Sequence, residues 1–267
     1  MTRPPGRTSR TCTHRSIWSS LRTSFEVFTL RTAGNARGVS FAVIMPQRQV
    51  ASCIPAMRDY LTDMAAAGAI QIVETDENGD PVLDGEGDQK DQRLSVDELA
   101  TVQKLIEGVA ALDGQDTKFE QLQDALAGIF ATGDVQKVLI FSFFKRTLRY
   151  LRKRLEDTYG VELIDGDVPP EERGERIERF RTDSRLQILL SSEVGGEGLD
   201  LQFSNCMVNY DLPWNPMRVE QRIGRIDRHG QESEKVRIFN FSVKDTIEAN
   251  IFERALRADW HFQALDR

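Results

Sequence analysis

The chain has 267 residues, of which 40% are hydrophobic and 29% charged, with a formal net charge of -7 at pH 7. That length can bury a sizeable core, the composition is ordinary for a globular protein, and no apolar run approaches the ~20 residues a membrane-spanning helix needs. Three cysteines, Cys12, Cys53 and Cys206, lie far apart without a C-x-x-C pair. This argues against a disulfide framework or a zinc site and for a reducing, cytoplasmic setting.

The charge is unevenly spread. Residues 1–50 hold eight Arg against one acid, Glu26, whereas residues 59–134 hold 18 acids and four bases. The remainder is nearly balanced, so overall acidity does not speak against nucleic-acid binding, which needs only a local basic path.

Residues 1–38, rich in Arg, Thr and Ser, show no hydrophobic period and are expected to be disordered. Their composition resembles a transit peptide, and fits equally a chain that begins inside a longer reading frame. In residues 39–68 the positions Val50, Cys53, Ile54, Met57, Leu61 and Met64 follow an i, i+3, i+4, i+7 pattern, predicting an amphipathic helix with Pro46 near its start. Residues 69–94 include ETDENGDPVLDGEGDQKDQR, acidic and Gly-rich, which reads as a linker. Ser95 with Glu98, and Thr117 with Glu120, fit S/T-x-x-E capping boxes, and Gly114 suits the stop between the two helices.

From Lys137 onward strand and helix alternate. KVLIFSFF is a short apolar run, expected for a strand buried on both faces. VELI, LQILLSS, CMVNY and KVRIFNFSV follow as further strands. Between them lie helical stretches, and a last helix is expected from Asp245 to about Arg257. Such alternation predicts an α/β fold with a parallel sheet, right-handed crossovers and helices on both faces. In such sheets ligands bind beyond the carboxyl ends of the strands, where SSEVGGEGLD and YDLPWNP fall.

Two segments there carry chemistry. In SSEVGGEGLDLQF, Gly195, Gly196 and Gly198 allow close backbone approach, and successive N–H groups can form an anion-binding nest. Ser192 adds a hydroxyl, and Asp200 can accept from sugar hydroxyls. The bland alternative is a tight turn with nothing bound. In WNPMRVEQRIGRIDRHGQ, Asn215 is expected to cap a helix, with Pro216 at its first position and Gly230 at its end. Gln221, Arg225 and Arg228 are spaced i, i+4, i+7 and project from one face, with Ile223 and Ile226 on another. Two guanidinium groups one turn apart suit the charge that develops on a transferring phosphoryl group. A solvated basic stripe, with Glu220 and Asp227 as surface pairs, is the bland alternative.

The two segments in order on one scaffold resemble a known family, the C-terminal helicase lobe of superfamily 2, nearest the Swi/Snf-type ATPases and their bacterial relatives. VLIFSFFKRTLRYL is similar to that family's motif IV. IDGDVPPEERGERIERF resembles the turn and helix that follow, with Arg173 and Phe180 at its usual Arg and Phe. LLSSEVGGEGLDLQFSNCMVNYDLPWNP resembles motif V, and EQRIGRIDRHGQ motif VI. DTKFEQLQDAL is similar to the lead-in helix, and RQVASCIPAM more loosely to the inter-lobe helix. The resemblance covers roughly residues 116–256 and implies a RecA-like sheet over residues 95–256, with residues 257–267 as a truncated tail.

It further implies roles for particular residues. Arg225 and Arg228 match the arginines that reach the ATP γ-phosphate, and Gln221 the polar position that opens motif VI. Gly198 and Asp200 match the motif V contacts to nucleotide sugar and neighbouring lobe. Ser192, Ser142 and Gly195 fall at positions near the nucleic-acid backbone, where contacts are sequence-independent and salt-sensitive. The implied cofactors are ATP and Mg²⁺, the implied partners duplex DNA and a first RecA-like lobe in the same or a neighbouring chain. No metal-ligating cluster is read within this chain.

Two family features are missing from this sequence. It contains no G-x-x-x-x-G-K-[ST] phosphate loop, and Asp97-Glu98 lies inside a helix and does not read as a strand-end Mg²⁺-binding pair. The expectation is a fragment without its first lobe, unable to hydrolyse ATP alone. A non-catalytic module that binds nucleic acid or a partner is the alternative. A dinucleotide-binding oxidoreductase is weaker, because GGEG follows the third strand of the run and lacks the G-x-G-x-x-G order.

Overall fold

The computed structural model describes residues 48–72, 90–111, 116–193, 201–213, 215–228, 231, 233 and 235–243. The expected disorder of 1–38, the helix beginning at Asp245, the tail 257–267 and the stops at Gly114 and Gly230 lie outside the described residues.

Residues 48–52 are helical, break at Cys53 (φ -157, ψ 113), and resume as α1 (Ile54–Ala67). The interruption follows from Pro55, which has no N–H to give the Ala51 carbonyl one turn earlier. Lys118 Nζ donates to that carbonyl instead, at 3.3 Å. Gly68 closes α1 in the left-handed conformation (φ 62) that a side chain would strain. The ends of the expected linker prove to be strands. β1 (Ala69–Ile72) pairs antiparallel with β2 (Lys90–Arg93), and Leu94 joins the core between α1 and α2 (Val96–Ala110).

Ser95 caps α2 as expected: its hydroxyl accepts from Glu98 N, and the Glu98 carboxylate accepts from Ser95 N at 2.7 Å. The second expected box is corrected by one residue. α3 (Thr117–Ala131) is capped by Asp116, whose Oδ1 accepts from Phe119 N at 3.0 Å, leaving Thr117 as the first helical residue. An ionised carboxylate is the better acceptor for a helix N-terminus.

The remaining elements are β3 (Val138–Phe141), α4 (Lys145–Leu155), β4 (Gly160–Ile164), α5 (Pro170–Thr182), β5 (Leu186–Ser191), β6 (Cys206–Asn209), α6 (Pro216–Ile226) and β7 (Arg237–Asn240). All five strands from β3 to β7 are parallel, in the order β4-β5-β3-β6-β7. Alternate residues face opposite layers. Val138, Ile140, Ile188, Leu190 and Val208 pack with α3 and α4, whereas Leu139, Phe141, Leu189 and Met207 pack with α5 and α6. The apolar run KVLIFSFF is thereby explained: a strand covered by helices on both faces has no polar side.

Pairing brings Ile164, Ser191, Phe141, Asn209 and Asn240 into one row at the carboxyl edge. The chain leaves β3 toward β4 at one side and leaves β6 toward β7 at the other. The crevice between β3 and β6 is thus the topological switch point, the place where open α/β sheets carry their sites.

Candidate functional site: the carboxyl edge and the arginine helix

The residues that follow β3 and β6 fill this switch point with buried polar groups. Asp211, 1% exposed, accepts a hydrogen bond from the Ser142 hydroxyl and from Lys118 Nζ at 3.2 Å. The Ser52 hydroxyl acts on the same carboxylate and shares a 2.8 Å hydrogen bond with Thr147 Oγ1. Burial alone would raise the Asp211 pKa, but the Lys118 ammonium and the hydroxyls outweigh it and hold the carboxyl below its ordinary value. Lys118 Nζ also lies 4.5 Å from the centroid of the Tyr210 ring. Next to this cluster Arg48 Nη2 donates to Leu212 O at 3.0 Å, its guanidinium 4.9 Å from the Phe143 ring centroid.

A second buried group clamps α6 to the sheet. Arg222, 1% exposed, donates from Nη1 to Asn209 Oδ1 at 2.7 Å and to Asp211 O at 3.1 Å. Its Nη2 donates to the carboxylate of Glu193, itself 9% exposed, and its guanidinium stands 5.2 Å from the Phe141 ring centroid. One planar cation thus joins the ends of β5 and β6 and the loop after β6. Arg222 was not singled out by sequence reasoning, but a signal was there. Val219, Arg222 and Ile226 are spaced i, i+3, i+7 and are all buried, so the arginine sits on the apolar stripe of its helix.

Helix α6 begins as expected, with Asn215 Oδ1 accepting from Met217 N at 2.9 Å and Pro216 in its first turn. It ends earlier than its sequence implies. Asp227 (φ -93, ψ 80) leaves the helix, so Gln221 and Arg225 share a helical face but Arg228 stands beyond the cap. The end is fixed by donors from outside the helix: Leu201 N donates to Arg225 O at 3.3 Å, and Gln231 Nε2 donates to Ile226 O at 2.8 Å and to Ser204 O at 3.0 Å. Orphan carbonyls that would otherwise favour another turn are taken by these donors. The same bonds tie the end of the Gly-rich segment to the arginine helix.

Other expected site residues fall as follows. Gln221 and Arg228 are exposed and Arg225 is half-buried. Ser192 is buried, its N–H donating to Ile164 O at 3.1 Å. Ser142 is fully buried and its hydroxyl is engaged with Asp211, so a solvent-facing contact to a phosphate is not what this group makes here. Gly195, Gly198 and Asp200 lie outside the described residues. Among the described residues no cluster of three or more His, Cys, Asp or Glu is placed to hold a metal ion, and no helix is long and apolar enough to cross a membrane.

An open parallel α/β domain, with cationic side chains on a helix clamped beyond the carboxyl ends of its strands, is the class that this fold and edge define. Residues 117–230 match the family model of the helicase conserved C-terminal domain, and this stretch is such a domain, related to Swi/Snf-type and bacterial ATP-dependent helicases. The chain is 38% identical over 168 residues to the uncharacterized ATP-dependent helicase YqhH of Bacillus subtilis (strain 168), a match covering 62% of this chain and 28% of that protein. It is 35% identical over 145 residues to the SWI/SNF-related matrix-associated actin-dependent regulator of chromatin subfamily A member 1 of Mus musculus, covering 53% of this chain and 14% of that one. The chain therefore spans less than a third of the length of these curated relatives. The crystal structure of the C-terminal part of the Fun30 ATPase domain shares the fold, with a TM-score of 0.59 at 20% identity over 92% of this chain and 86% of that one. The RecA-like sheet expected from sequence is borne out.

Proposed function

We propose that this chain is the second lobe of an ATP-driven translocase on duplex DNA, and that Arg225 and Arg228 act on the γ-phosphate of an ATP held mainly by a first lobe. The observation that carries this reading is the buried Arg222 clamp, which fixes α6 beyond the strand ends while leaving Gln221 exposed and Arg225 partly so. A guanidinium on a rigid frame stabilises phosphoryl charge without reorganising at the moment of transfer. In this reading Mg²⁺, like ATP, is held mainly by the first lobe. By the family resemblance, Gly198, Asp200 and Gln221 are assigned to the nucleotide and the lobe interface, and Ser192 and Gly195 to the nucleic-acid backbone, while Ser142 supports that edge through Asp211.

The sequence has no phosphate loop, and the chain alone is accordingly predicted to hydrolyse no ATP. The experiment compares ATP turnover, with and without duplex DNA, for the chain alone and for the chain expressed together with a first lobe carrying that loop. DNA-stimulated turnover only in the combined protein is the expected result. Stimulated turnover by the chain alone would refute the half-site reading. No turnover in either, with DNA binding retained, would favour a non-catalytic binding module.

A further inference from the structure

The Asp211 cluster does more than fill the switch point. Its carboxylate reaches toward the N-terminal helical segment through Lys118, which also donates to Ala51 O at 3.3 Å, and through Ser52. Its backbone carbonyl, on the other side, accepts from Arg222 of α6 at 3.1 Å. The following residue, Leu212, accepts from Arg48 at 3.0 Å. All of these groups are buried: Arg48, Ser52, Asp211 and Arg222 are each 1% exposed, and Lys118 is 7% exposed. Buried hydrogen-bonded charges hold one geometry, because a displaced partner leaves an uncompensated charge away from water.

We propose that Asp211 is a positioning residue that joins the helical segment 48–52 to the arginine helix α6, so that displacement of either is carried to the other. The joint goes beyond the proposed catalytic reading and rests on it only for its use, since it would set where Arg225 stands when the N-terminal segment moves. The loop from Tyr210 to Pro213 is short and buried. It therefore has little freedom to absorb a shift of one neighbour without passing it to the other.

Two native thiols report on this without any nucleotide. Cys53 directly follows the 48–52 segment and is 2% exposed, whereas Cys206 lies within β6 and is fully buried. In a Cys12→Ser background the full chain is labelled with a thiol reagent, and amide hydrogen exchange is followed across residues 216–226. Asp211→Asn keeps the volume but removes the charge that faces Lys118. It is expected to speed Cys53 labelling about tenfold or more beyond any change at Cys206, and to raise exchange in α6. Arg48→Met, which leaves α6 untouched, is expected to raise α6 exchange as well. Should Asp211→Asn fail to fold, Ser52→Ala perturbs the same joint more mildly and serves in its place. Equal acceleration at Cys53 and Cys206 would mean global destabilisation and would overturn the proposal. Faster Cys53 labelling with α6 exchange at the wild-type rate in every variant would reduce Asp211 to a local anchor and overturn it too. Because neither readout involves ATP, failure of the Arg225 and Arg228 assignment leaves this result unaffected.

Discussion

Arg222 Nη1 donates to Asn209 Oδ1 at 2.7 Å, and Asn209 Nδ2 in turn donates to Asn240 Oδ1 at 2.7 Å. The arginine helix is thereby linked through buried Asn209 of β6 to half-buried Asn240 of β7. Arg222 is thus a scaffold cation, whereas Arg225 is half-buried and Arg228 exposed.

Removing that cation should be costly. Arg222→Ala leaves Glu193 buried without its partner, and the expected loss is about 3–5 kcal/mol of folding stability. Arg222→Lys should also destabilise, because one ammonium cannot serve acceptors at Glu193, Asn209 and Asp211 in the fixed geometry of a guanidinium. By contrast Arg185→Ala, at a pair whose arginine is 88% exposed, should shift stability by well under ~1 kcal/mol. Urea denaturation of the three variants checks the order. A loss at Arg222 no larger than at Arg185 would contradict it.

How much of this was legible in the sequence depends on the kind of signal. Each strand from β3 to β7 showed as an apolar run, and Ser95, Asn215 and Pro216 announced their helix starts, because these signals are local. Arg222 and Lys118 were not legible as buried, since charge hides a residue from a search for hydrophobic period. Yet Lys118 stands one turn from Leu122, with Leu126 and Ile129 further along the same buried face of α3. The strands β1 and β2 were missed because the acidic run between them dominated the composition of the window. The early end of α6 was missed because it is set by Leu201 and Gln231, neither of which lies within the helix.

Two glycines should respond in opposite ways. At Gly160 an added Cβ would lie 1.9 Å from the Arg185 carbonyl oxygen, next to the register shift between β4 and β5. Gly160→Ala is expected to destabilise by about 1–3 kcal/mol, as overpacking does. At Gly128, inside α3, a Cβ would meet nothing within 4 Å. Gly128→Ala should therefore stabilise by roughly 0.5–1 kcal/mol through helix propensity. Thermal unfolding of both variants reads the signs directly, and a stabilising Gly160→Ala would show that the strand start is looser than described.

Acid should act through Asp211. Its folded pKa lies below the ordinary carboxylate value, against the push of burial, because Lys118, Ser142 and Ser52 favour the charged form. The stability it contributes is therefore complete above its unfolded pKa of ~3.9 and is lost as pH falls through the lower folded value. Asp211→Asn, which cannot titrate, is expected to be less stable than wild type at pH 7, with the difference shrinking below about pH 4. Urea midpoints measured from pH 7 to about pH 3 test this, and a difference independent of pH would contradict the linkage.

Arg225 and Arg228, and not the Arg222 clamp, are the cations proposed to act on ATP. The direct measurement is DNA-stimulated ATP turnover by the chain combined with a first lobe, comparing wild type with Arg225→Ala and Arg228→Ala. Each variant is expected to lose about 10³-fold or more in kcat, with the fold and duplex DNA affinity retained. Wild-type turnover in both variants would contradict it.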